Sequence, residues 1–133
     1  MEFFGYRKLI AYTKACEIRR NVYRLIKGFP KEEQFALNSQ LRRSAISITS
    51  NIAEGMSRYS NKDKVHFLEM AFGSLMEVMS QLEIAVEENY ISDTEFHNME
   101  TLVNSTCNIR LAKDFSFTKR QNHNRIITTH KLS

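Results

Sequence analysis

The densest pattern in the chain lies between Gln40 and Gly55. Leu41, Ala45, Ile48 and Ile52 recur at heptad-like spacing and form one apolar helix face. Gln40, Arg43, Ser47, Asn51 and Glu54 recur at steps of three and four on a second, polar face. Small hydroxyl, amide and carboxylate groups there suit close packing and specific hydrogen bonding better than mere solvation. Gly55 near the helix end costs roughly 1 kcal/mol against Ala if helical, which points to a close backbone approach.

The same periodicity extends in both directions. Ala15, Ile18, Val22, Leu25 and Phe29 predict a first helix from about Tyr6 to Lys27, with Leu9 and Tyr12 one turn back. Gly28 is placed to end it in the left-handed conformation, and Pro30 cannot continue it. Pro30-Lys-Glu-Glu reads as the start of a second helix lasting to about Arg58. After a turn with an N-cap at Ser60-Asn-Lys-Asp63, the third helix carries Val65, Leu68, Phe72, Leu75, Met79, Leu82 and Val86. Ala71, Val78 and Ala85 form a second, small-residue ridge beside that seam, and Gly73-Ser74 invites another close contact. Ser92 with Glu95 is a capping box that opens a fourth helix buried along Phe96, Met99, Leu102, Val103, Thr106 and Ile109. Four helices joined by short turns predict an all-α, up-down-up-down antiparallel four-helix bundle over residues 1–114, with a basic tail at 115–133 that lacks helical periodicity.

Composition sharpens this picture through charge. The 133 residues sum to +4, yet residues 1–60 hold eleven Lys/Arg against five acids, a net of +6. Residues 61–114 hold four against ten, a net of −6, and the tail holds Lys119, Arg120, Arg125 and Lys131 with no acid. Such polarity favours basic-to-acidic self-association or an anionic partner on the basic side. Cys16 and Cys107 fit neither a redox nor a zinc spacing, so reduced thiols in a cytoplasmic protein are expected. The N-terminus does not read as a signal peptide, and no apolar run approaches the ~18 residues needed to cross a bilayer.

Enzyme motifs are not found: there is no nucleotide loop, nucleophile elbow or zinc-protease pattern. Di-metal bundles use Glu-x-x-His, whereas here the order is reversed in His66-Phe-Leu-Glu69 and His97-Asn-Met-Glu100. These groups sit beside the core positions, as solvated side chains do. No catalytic residue, metal or cofactor is therefore expected. Ser44, Ser47 and Ser50 have no activating base on their own helix. Glu54 is either a surface carboxylate or a buried one that needs partners; Arg43 is eleven residues, roughly 16 Å of helix, away and cannot pair with it. Arg19, Arg20 and Arg24 on the first helix and Arg42 and Arg43 on the second are the candidate phosphate-binding groups. Gln40, Ser47, Asn51, Glu54, Gly55, Gly73 and Ser74 are the candidate residues of helix or subunit packing.

Several blocks together resemble the 23S rRNA-intervening-sequence proteins: Ser39-Gln-Leu-Arg-Arg-Ser-Ala-Ile-Ser-Ile, Asn51-Ile-Ala-Glu-Gly55, Phe67-Leu and Ala71-Phe-Gly-Ser-Leu. Phe29-Pro-Lys-Glu-Glu33 and Leu9, Tyr12 and Ala15 fit as well, so the resemblance spans about residues 4–111. It implies an antiparallel bundle assembled as a ring-like pentamer. The chain also looks like the accessory variability determinant proteins of diversity-generating retroelements, which form a pentameric barrel and bind nucleic acid and a reverse transcriptase. One departure is Thr49, where the family often has Pro; Thr keeps its N–H, so any kink there should be milder. The combined expectation is a non-enzymatic homo-oligomer that binds nucleic acid, foremost structured RNA, through arginine-rich faces. The competing one is a scaffold whose charge asymmetry serves ring assembly and docking of a protein partner.

Overall fold

Leu41, Ala45 and Ile48 are fully shielded from solvent, and the other helices are arranged around the helix that carries them. The computed structural model describes residues 5–108. Helix α1 runs Ile10–Ile26, α2 Leu37–Ser57 and α3 Asn61–Glu87. Helix α4 begins at 93 and is helical to the last described residue, 108. Short 3-10 turns at Gly5–Lys8 and Lys31–Glu33 precede α1 and α2. The expected basic tail and the end of the last helix, including Ile109 and residues 115–133, lie outside the described residues.

Helix α2 is the shared wall, packed against α1 on one flank and α3 on the other. The α2–α3 pair is antiparallel: as the α2 partner advances from Ser44 to Ser47 to Gly55, the α3 partner retreats from Glu77 to Ser74 to Phe67. Met99 and Val103 bring α4 into the same core, which α1 completes with Ala15, Ile18, Val22 and Leu25. The result is a four-helix, all-α bundle. Each fully buried Ile or Leu, such as Ile18, Leu41, Ile48 and Leu82, contributes about 1.5–3 kcal/mol relative to exposure.

Three sequence expectations need correction. The first helix does not start at Tyr6: a 3-10 turn comes first, and Leu9 is extended before Ile10. Gly28 is not left-handed; α1 ends in tight turns in which Gly28 N–H reaches Leu25 O at 3.1 Å and Phe29 N–H reaches Ile26 O at 3.1 Å. The second helix does not start at Pro30. Lys31–Glu33 form one 3-10 turn, the backbone breaks at Ala36, and α2 opens at Leu37. The reason is the Glu33 side chain, whose Oε2 accepts the Leu37 N–H at 3.2 Å and so caps α2 from outside. In α3 both ridges reach the core: Ala71, Val78 and Ala85 are buried with Leu75 and Leu82, while Leu68, Met79 and Val86 of the large seam are half-buried against them. Small residues sit where neighbouring helices come nearest.

The predicted caps are present. Ser60 Oγ accepts the Asp63 N–H at 3.1 Å, and Ser92 Oγ accepts the Glu95 N–H at 3.1 Å. The left-handed residue expected of a glycine is instead Asn89, with φ 60°. It closes α3 with paired bonds, Tyr90 N–H to Ala85 O at 2.8 Å and Asn89 N–H to Val86 O at 3.0 Å. Thr49 is buried, its hydroxyl donates to Ile46 O at 2.7 Å, and α2 continues through it unbroken.

This α3 end positions Tyr90 over the α1–α2 connection. Its ring lies 5.3 Å from Phe29, centroid to centroid, and its hydroxyl donates to Glu33 Oε1 at 3.2 Å. Glu33 therefore ties the start of α2 to the α3–α4 turn with its two oxygens. Burial, the hydrogen bond to Glu33 and nearby carboxylate charge raise the Tyr90 pKa above the ordinary 10.0. The folded phenol thus holds its proton more tightly than the unfolded one. That stabilisation is complete below pH about 10 and is lost as pH rises through the folded value. Tyr12 is raised as well, chiefly by burial, and acts with the same sign. Alkaline melts followed by circular dichroism should show stability falling above pH about 10, with a shallower fall in Tyr90→Phe, whose melting temperature at neutral pH is already lower.

Candidate nucleic-acid interface

The five arginines read from the sequence occupy three settings. Arg42 on α2 lies over the Tyr23 ring of α1, 5.1 Å from its centroid. Tyr23 follows Arg19 and Arg20 by one helical turn, so Arg19, Arg20 and Arg42 belong to one α1–α2 face. Arg19 is half-buried and Arg20 and Arg42 are exposed. Arg24 turns away from this face: it donates to Asn21 Oδ1 at 3.1 Å and lines a cleft of about 200 Å³ with Glu17, Glu95, Asn98, Met99 and Leu102. Arg43 is exposed about 100° around α2 from Arg42, on the outward side toward α3, because Ser47, one turn on, bonds to α3.

What unites the five is the lack of a carboxylate partner. Among the described residues the close ion pairs are Lys14–Glu17 at 3.9 Å, Arg58–Glu54 and His97–Glu100 at 3.6 Å. None involves the five arginines. An unneutralised guanidinium keeps its planar fork of donors available for an anion, and Tyr23 fixes the orientation of one of them at a modest gain of about 0.5–1 kcal/mol.

The polar face of α2 is a second arrangement, and it is internal to the chain. Ser44, only 1% exposed, donates to Glu77 Oε2 at 3.1 Å. Ser74 Oγ lies 2.9 Å from Ser47 Oγ and 3.2 Å from Met70 O, a carbonyl that accepts its single hydrogen when the Ser47 hydroxyl donates to Ser74. Asn51 Nδ2 reaches Ser47 O at 2.9 Å and Ser47 Oγ at 3.0 Å. These groups form a hydrogen-bonded seam between α2 and α3. Gly55 continues it without a side chain: a Cβ there would lie 2.8 Å from Phe67 Cβ and 3.4 Å from Lys64 O.

Three candidates of that group behave differently. Gln40 is exposed at the start of the stripe. Glu54 is half exposed and pairs with Arg58 four residues on, so of the two alternatives it is the surface carboxylate. Arg58 stands four residues after Glu54, a spacing at which side chains meet, so the sequence carries a signal for this pair. Gly73 is exposed, and a Cβ there would meet nothing within 4 Å; the close contact at Gly73-Ser74 belongs to Ser74.

Other arrangements become visible only in three dimensions. The Arg58 guanidinium lies 4.8 Å over the Phe67 ring. Lys64 Nζ donates to Met56 O at 3.3 Å and to Arg58 O, which places a cation at the C-terminal end of the α2 dipole. Glu33 and Tyr90 meet across 57 residues, a separation for which no local spacing gives a signal. The two histidines among the described residues sit at the surface: His97 is 75% exposed and His66 is exposed beside Phe67. Among the described residues no group of three or more His, Cys, Asp or Glu is arranged to hold a metal, and no helix is long and apolar enough to cross a membrane.

The Gly55 contact gives a direct test. Gly55→Ala gains helix propensity worth roughly 1 kcal/mol, but the added methyl meets a Cβ that cannot swing away. Overpacking of this kind costs about 1–3 kcal/mol, so denaturant melts should show net destabilisation; a more stable variant would contradict the tight α2–α3 approach.

Comparison with known proteins matches this architecture. A family model described as 23S rRNA-intervening sequence protein matches residues 7–113. A crystal structure of a protein of unknown function from the S23 ribosomal protein family of Bacteroides thetaiotaomicron superposes with a TM-score of 0.71 at 21% identity. That superposition covers 77% of this chain and 96% of the other; at this identity it speaks for the fold. No curated protein matches the chain significantly.

Proposed function

The chain belongs to the 23S rRNA-intervening sequence protein family, and on that premise we propose that it is a non-enzymatic, homo-oligomeric bundle that binds structured RNA through the arginines of α1 and α2. The observation that carries this reading is the set of exposed or half-buried arginines on those helices that have no carboxylate partner among the described residues. Phosphate contacts supply most of the affinity in such binding, and arginine suits them by its bidentate geometry. The acids of the chain are concentrated apart from them, on α3 and α4, so one side of the bundle attracts a polyanion and the other repels it. We further propose five copies per particle and a cytoplasmic location, the latter in keeping with Cys16 and Cys107, whose positions fit neither a redox nor a zinc spacing.

Binding should weaken steeply with salt. Replacing Arg19, Arg20, Arg42 and Arg43 together by Gln should reduce the slope of log affinity against log salt by roughly one for each phosphate these side chains engage. Titration of an RNA hairpin at several salt concentrations measures this; affinity indifferent to salt and to the four substitutions would remove the phosphate mechanism.

A second reading, a scaffold for protein assembly, is favoured by Gly73. Among the described residues no contact explains a glycine in the middle of the 27-residue α3. If a neighbouring copy approaches there, Gly73→Ala has two opposite effects. It stabilises the isolated chain by about 0.5–1 kcal/mol, and it lowers the mass of the native particle. Thermal melts and mass photometry on the same variant separate the two; an unchanged particle would sink the contact at Gly73.

A further inference from the structure

Residues 65–108 contain eight acids and no Lys or Arg. In the folded chain much of this charge falls on the outward side of α3, where Glu77, Glu83 and Glu87 are exposed. Glu83 and Glu87 have no cationic partner among the described residues. The same side exposes three large apolar side chains, Met70 at 45%, Met76 at 41% and Ile84 at 46%. Apolar and anionic groups thus share one helix surface that the rest of the bundle leaves uncovered. Its complement is a cationic segment with apolar side chains of its own.

The chain contains such a segment. Residues 115–133 hold Lys119, Arg120, Arg125 and Lys131 without an acid, together with Phe115, Phe117, Ile126, Ile127 and Leu132. Reach does not limit the contact. Residue 108 lies within roughly 25 Å of the α3–α4 turn, given 16 helical residues at ~1.5 Å each. The 25 residues that follow span up to roughly 80 Å when extended, about twice the length of α3. Covalent attachment raises the effective concentration of the segment to the order of mM, so even weak contacts hold it.

We infer that residues 115–133 dock on the outward face of α3 of the same chain, with their cations against Glu83 and Glu87 and their apolar side chains over Met70, Met76 and Ile84. The contact neutralises the acidic side of the bundle and covers its exposed apolar side chains.

Zero-length carbodiimide cross-linking of the full chain, followed by peptide mass spectrometry, tests this. The expected products join Lys119 or Lys131 to Glu83 or Glu87, and an equal mixture of light and 15N-labelled chains yields them without mixed masses. Mixed-mass products, or tail lysines joined instead to Glu17, Glu32 or Glu95, overturn the proposal. Limited trypsinolysis supplies a second readout. In the parent at low salt, cleavage after Lys119, Arg120 and Arg125 should be slower by roughly tenfold than in Glu83→Gln/Ile84→Gln/Glu87→Gln, the ratio expected for about 1.4 kcal/mol of docking energy. These positions are exposed, so the triple variant should keep the parent circular dichroism; if it does not, the cross-link map of the parent decides alone. Equal cleavage rates in the two proteins contradict docking, as does a variant that changes particle mass and leaves the cleavage rate untouched.

Discussion

The bundle depends on how closely α2 and α3 approach. Two helices can come together only as near as their side chains allow, and along this seam those side chains are Ser, Asn, Ala and Gly. Ser44, Ser47 and Ser74 bring polar atoms into a tight interface, where each must find a partner. They find one another, Glu77 and backbone carbonyls. At the end of the seam even a methyl group would collide with Phe67. The large residues Leu41, Ile48, Leu75 and Leu82 then fill the space on the core side.

The two ends of the bundle are closed by different chemistry. At one end Glu33 caps α2 and receives the Tyr90 hydroxyl, with Phe29 against the ring. At the other, Arg58 covers Phe67 and pairs with Glu54, while Lys64 satisfies carbonyls left open by the end of α2. In both cases a charged side chain meets backbone groups that helix termini leave unpaired. The sides of the bundle remain for other purposes, and charge divides them. Among the described residues, arginines without acid partners crowd α1 and α2, whereas Glu83 and Glu87 stand without cations on α3.

Much of this is legible in the periodicity. The heptad spacing of Leu41, Ala45, Ile48 and Ile52 identifies a buried face, and Ser60 and Ser92 mark helix starts that the structure contains. The start of α2 is not legible, because Pro30-Lys-Glu-Glu has the local chemistry of a helix start. Glu33 instead serves a helix that begins four residues later, and it is held by a tyrosine far along the chain. The polar stripe of Ser47, Asn51 and Ser74 reads as a joint from residue type alone, and its partners lie within the same chain.

Helix number, buried faces and the segregation of charge follow from spacing and residue type along one axis, so the linear pattern suffices for them. Which polar residues are consumed inside the fold is settled by packing. Ser44 and Ser47 are taken up by α3, Glu54 is answered by Arg58, and Arg24 turns into the α1–α4 cleft. Arg19, Arg20, Arg42 and Arg43 pair with no carboxylate among the described residues. Pairing of this kind depends on which helices are neighbours and in what register. That information arises only when separate helices share one core.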